Sequence, residues 1–122
     1  MFKYSTWEYV AERDQFYYHL FTTAQPELNF RNPKVVQEMK DVLIFWLDKG
    51  VDGFRIDAAP FLFEDAAFRD APLSDNHEKY KPYEYMYLSR IYIKDLPETY
   101  DMIYQWRELL DNYKKQKGGN TR

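Results

Sequence analysis

The chain has 122 residues, of which 45% are hydrophobic and 20% aromatic, and its formal net charge is −3. This length suits one small domain or part of a larger one, and the apolar content is enough for a packed core, which excludes a disordered chain. The balanced charge, without a basic block, predicts no nucleic-acid partner, and the absence of cysteine excludes disulfides and thiolate metal sites.

Two aromatic runs near the start of the chain predict a β-hairpin. Residues 4–9 and 16–21 are rich in Tyr, Phe and Trp, which favour strands, and the polar segment 11–15 lies between them. A loop is predicted at residues 25–29, because Pro26 holds the preceding residue away from helical geometry. Most of the aromatic residues are interpreted as core or half-buried surface, although stacking on a sugar ring is the alternative.

Helical periodicity begins at Pro33 and predicts a helix over residues 33–49. Asn32 is expected to cap it, and Gly50 to end it in a left-handed conformation. The apolar face comprises Val35, Val36, Met39, Val42, Leu43, Trp46 and Leu47. This spacing indicates a helix that packs one face against the core.

Residues 51–57 predict a short buried strand. Because side chains alternate across a strand, Phe54 and Ile56 would share one face and Arg55 and Asp57 the other. A fixed guanidinium beside a carboxylate favours the ionised form and lowers the carboxyl pKa, as a nucleophile that attacks carbon requires. The alternative interpretation is a structural ion pair that closes the strand end.

The rest of the chain is a long irregular segment followed by a second helix. Residues 59–94 are polar and contain three prolines, and a segment of that length after a strand typically carries function or is an insertion. Apolar spacing then predicts a helix over 95–116, with basic residues in its last turn. Its apolar face comprises Met102, Ile103, Trp106, Leu109, Leu110 and Tyr113. The order helix, strand, loop, helix predicts an α/β fold with a parallel sheet.

Gly53-Phe54-Arg55-Ile56-Asp57-Ala58 resembles the fourth-strand motif of the α-amylase family of glycoside hydrolases. Gln25-Pro26-Glu27-Leu28-Asn29 is similar to that family's Gln-Pro-Asp-Leu-Asn loop, with Glu27 where the family usually has Asp. Further similarity lies at residues 17–19, 32–33, 48–53 and 96–101. The resemblance covers essentially the whole chain and is greatest to the α-glucosidase and maltase subgroup of insects.

The family fold is a (β/α)₈ barrel with a small domain inserted after the third strand. The resemblance implies that residues 1–30 are the C-terminal part of that insertion and that 31–122 are a fragment of the barrel. Within this fragment, 33–49 would be the third helix, 51–57 the fourth strand and 95–116 the fourth helix. Because a barrel needs about 250 residues, we expect the chain to be a fragment that is inactive by itself.

The resemblance also implies a site and a reaction. Asp57 matches the nucleophile of a retaining α-glucosidase, and Arg55 matches the arginine that keeps it ionised and oriented. Ala58 would contact the aglycone sugar, where a small side chain accompanies α-1,4 linkages, and Phe21 and Gln25 would line the glucose subsite, unless they are a buried aromatic residue beside a loop amide. The implied substrates are maltose, sucrose and short oligosaccharides.

Other interpretations remain open. A non-catalytic ancillary subunit of an amino-acid transporter resembles these enzymes, and a truncated product would have no function of its own. No cofactor and no metal ligand is predicted here, although the full-length protein could bind calcium through residues outside this chain. Localisation is not determined by the sequence; the resemblance implies an extracellular or membrane-anchored protein.

Overall fold

The computed structural model describes residues 5–118 and contains one hairpin and two long helices. The hairpin strands are β1, Trp7–Val10, and β2, Gln15–Tyr18, and the helices are α1, Pro33–Asp48, and α2, Pro97–Lys117. Short 3₁₀ turns lie at Ala59–Phe61 and His77–Lys79. No helix within this part of the chain is both long enough and apolar enough to cross a bilayer.

The chain divides into two compact units. The first unit comprises Met1–Leu28 and Asp70–Arg90, and the second comprises Asn29–Arg69 and Ile91–Arg122. The boundary predicted near residue 30, between the inserted domain and the barrel fragment, stays a prediction.

The first unit contains the predicted hairpin. β1 and β2 pair antiparallel, with Trp7 opposite Tyr18 and Tyr9 opposite Phe16. The facing rings contact each other, with centroids 5.3 Å apart in the first pair and 5.1 Å apart in the second. Cross-strand aromatic contacts of this kind stabilise a two-stranded sheet. The prediction of a hairpin is therefore confirmed, with strands of four residues each.

Helix α1 begins and ends at the predicted signals. The Asn32 side chain accepts a hydrogen bond from the Lys34 amide, and Gly50 has a φ of 94°. Its apolar face is only partly covered, because Leu43 and Leu47 are buried whereas the predicted core residue Trp46 is 48% exposed. The predicted helix is confirmed, but its packed face is narrower than its apolar face.

Helix α2 supplies half of the buried hydrophobic cluster of the second unit. The buried hydrophobic cluster consists of Leu43, Leu47, Phe63, Met102, Trp106 and Leu110. The Phe30 ring packs on this cluster and lies edge-on to Trp106, with ring centroids 6.1 Å apart. The helix predicted over 95–116 is thus confirmed. Of its predicted apolar face, Met102, Trp106 and Leu110 are buried, Leu109 and Tyr113 are half-buried, and Ile103 is 40% exposed.

The predicted strand over residues 51–57 is not present. Strands are held by ladder hydrogen bonds to a neighbouring strand, and among residues 5–118 the only sheet is the hairpin of the first unit. No segment of the described chain pairs with residues 51–57, and an isolated bridge forms only between Leu73 and Leu88. The residue pattern of a strand is present, but a strand also requires a hydrogen-bonded partner.

The loop that follows the first 3₁₀ turn is held by an acidic turn at Asp65. The Asp65 carboxylate accepts hydrogen bonds from the Arg69 side chain at 2.6 and 3.0 Å and from the Ala67 amide at 3.1 Å. The Arg69 guanidinium also lies 4.2 Å from the centre of the Tyr92 ring. The hydrogen bond from Arg69 is the main reason that the pKa of Asp65 is lowered to about 2.

Replacement of Arg69 by glutamine should raise the pKa of Asp65 towards 3.8. Because the folded-state pKa lies below the unfolded value, Asp65 contributes stability above about pH 4, and this is lost as the pH falls through about 2. Carboxyl-carbon NMR of the 122-residue chain would measure the change. Arg107→Gln is the control, since Arg107 pairs with Asp111 across the same four-residue spacing and should leave Asp65 unaffected.

Candidate active site

Arg55 and Asp57 form an ion pair on the surface of the second unit. The Arg55 Nη2 donates a hydrogen bond to Asp57 Oδ1 at 2.8 Å. Both side chains are accessible, with exposed fractions of 85% and 82%. Exposed ion pairs are screened by water and contribute little to stability. This pair therefore has a small structural effect, and its carboxylate is open to a ligand.

The intervening apolar side chains face the helices. Phe54 packs against the buried cluster, and with Ile56 it lines a cavity of about 380 Å³. The other lining residues are Leu43, Ala59, Ile103, Trp106, Arg107 and Leu110. Phe54 and Ile56 thus lie towards the helices, with Ile56 41% exposed, while the Arg55 and Asp57 side chains lie in solvent. The alternation predicted from the sequence is present even though no strand is assigned.

The backbone turns sharply immediately after the carboxylate. Ala58 has φ 53° and ψ 20°, which is the left-handed region, and the 3₁₀ turn Ala59–Phe61 follows. A residue with a Cβ atom seldom adopts this conformation, which costs about 1–2 kcal/mol. Strained backbone of this kind is often found at functional sites. No sequence motif predicted this turn, because alanine is not the residue expected at a left-handed position.

Three hydrogen bonds fix the chain downstream of Ala58. The Asp95 amide donates to the Pro60 carbonyl at 2.8 Å. Arg31 donates to the Glu64 carbonyl at 2.6 Å and to the Glu98 carboxylate at 2.9 Å. The pKa of Glu98 is lowered by a hydrogen bond from the Glu98 backbone amide and by the hydrogen bond from Arg31. Arg31 thus joins the start of α1, the loop and the first turn of α2, a role that no sequence motif indicated.

The predicted subsite residues Phe21 and Gln25 lie in the first unit, in the loop that follows β2. Phe21 is half-buried and Gln25 is exposed. The Gln25 amide donates to the Thr22 carbonyl at 2.9 Å, and the Thr22 hydroxyl contacts the Gln25 side-chain oxygen at 3.3 Å. The loop therefore presents Gln25 in a defined turn, and its role in binding stays a prediction.

The two histidines have different surroundings. His19 is 7% exposed, and neither ring nitrogen has a hydrogen-bond partner among residues 5–118. His77 is half-buried, with Nδ1 2.8 Å from the Ser74 carbonyl oxygen. No group of three His, Asp or Glu side chains suited to a metal ion occurs in the described part of the chain.

Comparison with known proteins identifies the family. The α-amylase catalytic-domain family matches residues 1–118. The chain belongs to this family. Maltase A1 of Drosophila melanogaster is 50% identical over 127 residues, covering 99% of this chain and 22% of that protein. The salivary α-glucosidase of Aedes aegypti is 52% identical over 119 residues, covering 94% of this chain and 20% of that protein.

Solved structures of α-amylase family enzymes have the same fold over this segment. The α-glucosyl transfer enzyme XgtA superposes with a TM-score of 0.78 at 38% identity, covering 88% of this chain and 21% of that one. The trehalose-6-phosphate hydrolase of Bacillus licheniformis gives a TM-score of 0.70 at 27% identity, covering 91% and 18%. The chain spans about a fifth of the length of the curated relatives it matches. Its α/β elements are consistent with part of a (β/α)₈ barrel.

Proposed function

We propose that the chain is a segment of a retaining α-glucosidase, or maltase, in which Asp57 is the nucleophile. The observation that carries the proposal is the exposed Arg55–Asp57 ion pair, located in a member of the α-amylase family. Its relatives include maltases and α-glucosidases that are about 50% identical to it. Their names support terminal α-linked glucose as the substrate. Retention of both charged residues disfavours a non-catalytic transporter subunit.

The proposed reaction has two displacement steps. An Asp57 carboxylate oxygen attacks the anomeric carbon, the glycosidic C–O bond breaks, and a general acid protonates the departing oxygen. Water then attacks the covalent glucosyl–enzyme, loses a proton to the same acid–base residue, and releases glucose with Asp57 regenerated. Retaining enzymes place the two carboxyl groups about 5–5.5 Å apart. Among residues 5–118, the ion-pair partner of Asp57 is Arg55. We propose that the general acid lies outside this chain, as the family resemblance implies.

Each residue of the pair has a distinct role in this proposal. Asp57 is accessible to a sugar because its side chain is largely exposed. The Arg55 guanidinium occupies one carboxylate oxygen, which leaves the other free to attack. The hydrogen bond thus orients the nucleophile and leaves its reacting oxygen available.

We further propose that α1, residues 51–57 and α2 are the third helix, fourth strand and fourth helix of the barrel. In such a barrel, catalytic residues lie at the carboxyl ends of strands, where Asp57 would then be located. Residues 1–30 would belong to the inserted domain. Closure by neighbouring strands would provide the ladder that residues 51–57 lack. The 122-residue chain by itself is expected to hydrolyse no maltose.

Ala58, Phe21 and Gln25 are the proposed substrate contacts. The small side chain of Ala58 supports a preference for α-1,4-linked substrates such as maltose, sucrose and short oligosaccharides. Two relatives are named salivary α-glucosidases, which supports a secreted protein. Neither calcium binding nor membrane anchoring of the whole protein has support from the described residues.

Covalent trapping in the whole protein tests this proposal. A 5-fluoro-α-glucosyl fluoride should inactivate the protein, and mass spectrometry of the digest should place one fluoroglucosyl group on the peptide that contains Asp57. Maltose should be cleaved with net retention, producing α-glucose first, as proton NMR would show. Label on another carboxylate, or inversion at the anomeric carbon, would contradict the assignment.

Ala58→Val in the whole protein should shift the ratio of isomaltose to maltose hydrolysis upwards, because the larger side chain would contact the aglycone sugar. The structure adds a second effect. A β-branched residue is strongly disfavoured at a φ of 53°, so this variant should also lose about 1–2 kcal/mol of folding stability. Steady-state rates on both disaccharides and urea unfolding would measure the two effects.

Two further variants separate the specificity effect from backbone strain. Ala66→Val places the same side chain on a nearby exposed position without a positive φ and should change neither property. Ala58→Gly removes the backbone strain, so it should lower the free energy of unfolding by less than Ala58→Val does. An Ala58→Val variant with an unchanged rate ratio would remove Ala58 from the specificity assignment.

A further inference from the structure

The loop between β2 and α1 is closed on itself within the first unit. At its base, the Glu27 amide donates to the Tyr18 carbonyl at 3.0 Å, and the His19 amide donates to the Thr6 carbonyl at 2.8 Å. His19 and Leu20 are buried, with 7% and 3% of their surface exposed. The base of the loop is therefore packed and hydrogen-bonded to the hairpin, while its tip carries the predicted substrate contacts.

Two side chains complete this closure. The Tyr17 hydroxyl donates to the Thr23 carbonyl at 2.6 Å, which connects β2 to the middle of the loop. The Glu27 carboxylate accepts a longer hydrogen bond, 3.4 Å, from the Leu20 amide. Glu27 is half-buried, and its burial raises the pKa of the carboxyl group. The half-buried Glu27 side chain thus connects the C-terminal end of the loop to its N-terminal end.

These contacts constrain the segment that holds Phe21 and Gln25. Thr22 and Gln25 form a hydrogen-bonded turn, and Thr23, within that turn, is the residue that Tyr17 holds. A loop whose ends and middle are fixed loses less conformational entropy when a ligand binds than a mobile loop does. The contribution of Phe21 and Gln25 to binding would then depend on residues that never touch the ligand.

We propose that Tyr17 and Glu27 are positioning residues for substrate binding, which hold residues 19–27 in the conformation that presents Phe21 and Gln25 to a glucosyl unit. This inference rests on the proposed α-glucosidase function and assigns two residues to it. Glu27 stands where the resembled motif has aspartate, and its longer side chain reaches the Leu20 amide.

Tyr17→Phe in the whole protein tests the proposal, because it removes one hydroxyl and little else. The loop contacts act on substrate binding and not on bond cleavage, so KM for maltose should rise on the order of tenfold with kcat nearly unchanged. Tyr9→Phe is the matched control. The Tyr9 hydroxyl donates to Asp14 at 2.6 Å at the opposite end of the same hairpin, so its removal should leave both constants unchanged.

Glu27→Ala and Glu27→Gln provide an independent second comparison. Alanine removes the acceptor for the Leu20 amide and should raise KM, whereas glutamine keeps an acceptor oxygen and should restore most of the affinity. Unchanged KM in both Tyr17→Phe and Glu27→Ala would overturn the proposal. So would an equal loss of activity in Tyr17→Phe and Tyr9→Phe, because that pattern indicates general damage to the hairpin.

Hydrogen exchange separates this inference from the proposed function. In the unaltered protein the amides of Leu20 and Gln25 should be protected, and Tyr17→Phe should increase exchange at Gln25 while Tyr9→Phe should not. If the whole protein cleaves no α-glucoside but this exchange pattern holds, the function fails and the loop closure stands. If the protein is active and Gln25 exchanges equally in both variants, the positioning role is wrong.

Discussion

Asp57→Asn in the whole protein is expected to abolish hydrolysis of maltose, with kcat reduced on the order of 10⁴-fold or more. The amide has the size of the carboxylate but cannot form the covalent glucosyl ester, so the two-step reaction loses its first step. Loss of a nucleophile in covalent enzymes has effects of this size or larger. Since Asp57 is largely exposed and its ion pair contributes little to stability, the variant should fold normally.

The measurement is the initial rate of glucose release, with circular dichroism to verify the fold. Asp101→Asn is a suitable control, because it removes an exposed carboxylate from α2 without touching the Arg55–Asp57 pair. Its kcat should match that of the unaltered protein. Azide should restore turnover to Asp57→Ala, because a small anion can take the place of the missing carboxylate and attack the anomeric carbon. Full activity in Asp57→Asn would exclude Asp57 as the nucleophile.

The helices and the alternation around Asp57 were predictable because their signals are local. Asn32 caps α1 through a side chain two residues from the amide that it binds, and Gly50 adopts the positive φ that glycine permits. The opposite orientations of Ile56 and Asp57 follow from their being adjacent residues in one segment. None of these features requires knowledge of a distant part of the chain.

The remaining features depend on partners far apart in sequence. Arg31 contacts Glu98, 67 residues away, and the Asp95 amide binds the Pro60 carbonyl. No periodicity or motif encodes such pairings. The absent strand over residues 51–57 has the same origin, since a β-ladder is a property of two segments. The left-handed Ala58 was not predictable for a different reason, because alanine has no intrinsic preference for that conformation.

The sequence also overestimated how much of each apolar stripe would be covered. On α1, Val42 and Trp46 follow the helical spacing of the core residues, but they are 43% and 48% exposed. Periodicity identifies a face that prefers to be buried, whereas the packing partner decides how much of it is buried. On α2, the predicted apolar residues Trp106 and Ile103 show the same contrast, with 6% and 40% of their surfaces exposed.

That contrast leads to the second large effect. Trp106→Ala should reduce the free energy of unfolding by about 3–5 kcal/mol, the usual cost of removing a buried Trp or Phe side chain. Trp106 belongs to the buried cluster, lies edge-on to Phe30 and lines the cavity that Phe54 and Ile56 border. Removal of its side chain would enlarge this cavity, and the surrounding side chains could replace only few of the lost packing contacts.

Thermal unfolding of the whole protein, followed by circular dichroism, would show the effect as a Tm lowered by several degrees. Tyr104→Ala on the same helix is the control and should change stability by no more than about 0.5 kcal/mol, because its side chain is mostly exposed. Since Ile56 lines the same cavity and is next to Asp57, Trp106→Ala should also lower kcat at temperatures where the protein is folded. Equal Tm values for the two variants would show that the α2 core does not support the segment carrying the nucleophile.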